Sequence, residues 1–64
     1  MNTVNKEIFL LITNCREEKN IDRQVSMLLE LNQALPPQKR VSLQSFYTKD
    51  YVRRVLSWIE DSVL

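Results

Sequence analysis

"LNQALPPQKRVSLQSFYTKDYVRRVL", residues 31–56, holds the one unambiguous break in this chain and decides how the rest is read. Proline supplies no backbone donor, and its ring pushes the preceding residue out of the α region, so Pro36-Pro37 must end any helix arriving from Leu31. Beyond the break, Val52, Val55, Leu56, Ile59 and Val63 recur at helical spacing, with Thr48 as a cap and Asp50 in the first turn. A helix from about Thr48 to Val63 follows. Asp50 and Arg54 stand four apart in the favourable order, worth a few tenths of a kcal/mol.

Working back from the prolines, Val25, Met27, Leu28, Leu31 and Leu35 form one stripe, with Leu29 beside it. Asn20 or Asp22 caps that helix. Before it, "CREEKNIDRQ" interrupts the apolar pattern. The first helix runs from Thr3 or Asn5 to Glu18, with Val4, Ile8, Leu11, Ile12 and Cys15 within one face at 100° per residue. Residues 38–47 fit two readings. "RVSLQSFY" alternates enough for a short extended segment, while Ser42 can cap a single helical turn over 43–47, and the helical turn is the expectation. An isolated strand would have nothing to pair with. The expected fold is therefore all-α, a single three-helix domain over residues 1–64 with a short extra turn.

Composition excludes several function classes. The 64 residues contain no glycine and no histidine, although average usage would supply roughly four or five glycines. Phosphate-cradling loops, nucleophile elbows and EF-hand loops all need glycine where the backbone turns or approaches a ligand closely. Without histidine the commonest general acid/base is missing. One cysteine, Cys15, gives neither an internal disulfide nor zinc-ligand spacing. It reads as a small buried hydrophobe in a reducing compartment. No enzymatic activity, cofactor, metal or small-molecule substrate is expected. The longest apolar run, Ile8 to Ile12, is far short of a membrane span or a signal peptide's apolar core, which points to a cytoplasmic protein.

A chain this short buries a smaller fraction of its surface than an average domain, and with disulfides and metals set aside, oligomerisation is the remaining way to add core. Phe9 and Leu10 fall outside the inward stripe of the first helix, on opposite flanks. Within one chain they would pack on helix two and helix three respectively. Otherwise a second subunit or another protein covers them. Tyr51 and Trp58 edge the apolar face of the third helix, and Arg54 stands one turn before Trp58, a composition common at interface hot spots. Phe9, Leu10, Tyr51, Arg54 and Trp58 are thus the protein-interface candidates. The favoured function is a small non-enzymatic regulatory or adaptor protein, homo-oligomeric or bound to a protein partner through helix faces.

Charge supplies the alternative. Residues 36–56 carry Lys39, Arg40, Lys49, Arg53 and Arg54 against Asp50 alone, a local net of +4 in a chain whose net charge is +1. A DNA-binding regulator would use Lys49 and Arg53 on the third helix, with Lys39 and Arg40 on the phosphate backbone. The small overall charge and the long gap between helices two and three argue against a helix-turn-helix. A solvated connector beside a charged helix face is the simpler account.

Overall fold

The computed structural model describes residues 3–63, with the side chains of residues 3–5 left aside. It contains α1 (Thr3–Glu17), α2 (Ile21–Ala34), a 3₁₀ turn at Pro37–Lys39 and α3 (Lys49–Val63). No strand forms among the described residues. The expected all-α three-helix domain is what the chain adopts. The cap roles of Thr3 and Asn5 and the inward position of Val4 concern side chains outside those described.

Each remaining boundary has a local cause. The Asn20 side chain accepts from the Arg23 N–H at 3.2 Å, and the Glu18 carboxylate accepts from the Asn20 N–H at 3.1 Å, so the α1–α2 turn satisfies donors that the helix start leaves free. Thr48 Oγ1 accepts from the Tyr51 N–H at 3.1 Å and opens α3 in the same way. α2 stops at Leu35, whose backbone is extended (φ −76°, ψ 151°) immediately before Pro36.

The core is built from Ile8, Ile12 and Cys15 of α1, Leu28, Leu31 and Leu35 at the end of α2, and Val52, Val55, Leu56 and Ile59 of α3. Ile21, Val25, Met27, Val41, Leu43, Tyr47, Tyr51 and Val63 close its rim. Leu11 departs from expectation. It turns toward the edge and stays more than a third exposed, because Ile8, Ile12 and Cys15 occupy the centre of the buried stripe.

Long-range hydrogen bonds fix the topology. Gln24 and Cys15 bond reciprocally (Nε2 to the Cys15 carbonyl 3.1 Å, Sγ to the Gln24 carbonyl 3.3 Å), pairing α1 and α2 as an antiparallel hairpin. Lys39 donates to the Ser62 carbonyl, placing the segment after α2 at the far end of α3. Lys49, at the start of α3, shares a cleft with Glu18 and Lys19 of the α1–α2 turn. α2 and α3 therefore run in the same direction, and residues 40–48 must return along α3.

That return corrects the expected turn at 43–47. A helix of 15 residues is about 22 Å long at 1.5 Å per residue. The nine residues from 40 to 48 cover about 30 Å when extended and only about 14 Å as helix. The connector is accordingly non-helical, and the single helical turn forms earlier, at Pro37–Lys39. Alternation accompanies extension from Val41 to Gln44, with Val41 and Leu43 inward and Ser42 and Gln44 out; an exposed bend at Ser45 interrupts it before Phe46 points out and Tyr47 in. The radius of gyration, 10.9 Å, is close to the roughly 10.7 Å of a compact chain this long, so the connector lies against the helices.

Candidate functional site

The basic stretch divides into two parts with different tasks. Arg40 donates from Nε to the Leu35 carbonyl and from Nη2 to the Gln33 carbonyl, both at 3.1 Å. Lys39 donates to the Ser62 carbonyl at 2.6 Å. These acceptors belong to the C-terminal ends of α2 and α3, where helix carbonyls lack partners and cations are favoured. Lys39 and Arg40 thus cap helices. Lys49 and Arg53 lie at the other end of α3, so the four nucleic-acid candidates do not form one surface.

Lys49 and Arg53 instead meet residues that local reading did not connect with them. With Arg16, Glu17, Glu18, Lys19, Gln24 and Leu56 they line an open cleft of about 430 Å³ where the end of α1, the start of α2 and the first turns of α3 converge. Arg16 Nη1 also reaches Glu60 Oε2 at 3.2 Å across to α3, the one ion pair among the described residues. Both partners are partly exposed, so that pair orients more than it stabilises.

The protein-interface candidates separate as well. Glu60 faces α1, and Trp58, two residues earlier, points roughly 200° away around α3. Tyr51, Trp58 and Ser62 share a stripe roughly 40° wide, on the side where the connector runs: the Tyr51 hydroxyl accepts from the Gln44 N–H at 3.2 Å, and the Tyr51 ring lies 5.7 Å from that of Tyr47. Arg54 is exposed and forms no cation–π contact with Trp58. Leu10, 56% exposed, projects from the outer side of α1 and does not pack on helix three. Phe9, half-buried, lies on the flank of α1 that carries Arg16, toward α3 and not toward helix two. Phe9 and Leu10 therefore occupy one part of the molecule, and Tyr51, Arg54 and Trp58 another.

Comparison with protein-family models, curated proteins and solved structures finds no match.

The connector side carries two apolar side chains that sequence reading left out of the site. Phe46 is 74% exposed, the most of any large hydrophobic residue described, and Leu29 of α2 is also exposed. Leu29 stands one turn before Asn32, which holds the connector through Val41 (Nδ2 to the carbonyl 3.0 Å, the N–H to Oδ1 2.9 Å). Trp58, 48% exposed, flanks the same segment from α3. The adjacent pair Phe46-Tyr47 was the available signal, since an extended backbone must send one of two successive aromatics outward.

Cys15 is buried, and desolvation pushes its thiol up to about 11, with Glu18 adding to the rise and Arg16 opposing it. An activated cysteine nucleophile needs the opposite shift. Among the described residues no group of three His, Cys, Asp or Glu side chains gathers to hold a metal. No helix among the described residues is long and apolar enough to cross a membrane.

Proposed function

We propose that this chain is a small non-enzymatic regulatory or adaptor protein that works by protein–protein contact, and that the contact surface is the connector side of α2 and α3. The observation that carries this reading is the exposure of Phe46, Trp58 and Leu29 in a domain too small to leave large apolar groups in water without cost. Arg54 borders the surface, giving the Trp, Phe and Arg composition common at binding hot spots. A second copy of the chain is the partner that fits this face, because a two-fold interface adds core to a domain short of it.

Sedimentation velocity over a protein concentration series tests the proposal. The wild-type chain is expected to shift from monomer to dimer, and the double variant Phe46→Ser, Trp58→Ser to remain monomeric with an unchanged helical circular dichroism spectrum. A wild-type chain that stays monomeric up to about 1 mM, where even a weak interface of about 4 kcal/mol would show, removes self-association through this face.

A further inference from the structure

The cleft at the other end of the molecule contains charges that the fold does not explain. Lys49 is the first residue of α3, directly after the Thr48 cap. The helix dipole is positive there, which favours carboxylates and disfavours a lysine. Arg53 stands four residues on, and like charges at this spacing repel. Lys19 joins them from the α1–α2 turn. None of the three has a carboxylate partner among the described residues, whereas Arg16 is paired with Glu60 and Glu18 accepts from the Asn20 N–H. Four cations and two carboxylates, Glu17 and Glu18, line the cleft, a net of +2 that falls to +1 once Glu60, the partner of Arg16, is counted. The N–H groups of Lys49 and Asp50 have no partner within the helix, because the cap takes only that of Tyr51.

Several local penalties of one sign at one opening are relieved together by a bound anion. We propose that the cleft between the α1–α2 turn and the first turns of α3 binds a phosphate-bearing ligand, with Lys19, Lys49 and Arg53 as the cationic contacts and Leu56 at its base. Its volume, about 430 Å³, lies within the range of small-molecule sites. Arg53 offers a planar fork to phosphate oxygens, and the two lysines act as point charges. Lys39 and Arg40 take no part, since both are engaged at helix ends. This site is separate from the connector face, so it stands whether or not that face binds protein.

The test is an amide NMR titration of the full chain with sodium pyrophosphate at constant ionic strength. Saturable shifts confined to the cleft residues 16–24 and 48–53 are expected, with Arg53→Ala weakening binding about tenfold. Lys49→Glu separates binding from folding: it is expected to raise the melting temperature, because a carboxylate suits the helix start, while abolishing the shifts. A short DNA duplex forms the second arm. Shifts of the same amides at lower concentration than pyrophosphate would identify a nucleic-acid backbone as the phosphate source, and pyrophosphate binding alone would identify a small ligand. Overturning results are shifts no different from those of sodium chloride at equal ionic strength, binding unchanged in Lys49→Glu, or duplex contacts centred on Lys39 and Arg40.

Discussion

Cys15 shows how one side chain can be fully determined by its surroundings. It stands seven residues after Ile8 on the buried stripe of α1, its thiol donates to the Gln24 carbonyl, and burial raises its pKa from 9.0 to about 11. The consequence for stability has a definite sign. Between these two values the unfolded chain releases the thiol proton and the folded chain keeps it, so deprotonation draws the equilibrium toward unfolding. The contribution is complete below about pH 9 and is lost as pH rises through about 11. Lysines and tyrosines titrate in the same window, so the useful quantity is a difference. Cys15→Ser retains a donor toward the Gln24 carbonyl and does not ionise there. Thermal melts of both chains at pH 7, 9 and 10.5 are expected to show the wild type losing more melting temperature than the variant above pH 9. Parallel curves would place the thiol in contact with water.

Among the elements, those set by local chemistry were legible in the sequence and the connector was not. Asn20 and Thr48 as caps, and Pro36-Pro37 as a stop, act within three or four residues of themselves, and the structure has each in its expected role. The connector takes its shape from partners nine to twenty-three residues away, Asn32 with Val41 and Lys39 with Ser62, which no local window contains. The same distinction governs the site. Lys49 and Arg53 were visible as an i, i+4 pair, but their company of Arg16 and Lys19 arises from helix packing. Lys39 and Arg40 looked like free surface charge because the sequence does not reveal which carbonyls need donors. Asn32 is the polar residue that joins α2 to the connector, buried at 8% exposure with both its amide groups bonded to Val41. Replacing it by alanine removes both bonds and leaves the Val41 backbone unsatisfied, at a cost of about 2 kcal/mol. Urea melts of Asn32→Ala should show that loss, accompanied by faster amide exchange at Val41 and Leu43 than in α1. Uniformly faster exchange would mean that the connector and helices open only together.

At the scale of the whole molecule the margin is thin. A chain of 64 residues holds roughly 3–10 kcal/mol of net stability at the usual 0.05–0.15 kcal/mol per residue. Among the described residues ten apolar side chains form the buried core, from all three helices and from Leu35, which caps α2. Leu56 is fully buried on α3 and also lines the cationic cleft. Truncation to alanine would remove about 2–5 kcal/mol through lost burial and the cavity left behind, a large share of the total. Leu10 is a leucine of the same size on α1 that faces water, so Leu10→Ala should change stability by no more than about 0.5 kcal/mol. Chemical denaturation of the two variants at equal protein concentration separates burial from hydrophobicity as the source of stability. A Leu10→Ala chain as weakened as Leu56→Ala would mean that the outer side of α1 is covered in solution by another chain. Its midpoint would then rise with protein concentration, as mass action requires of a folded state held together by association.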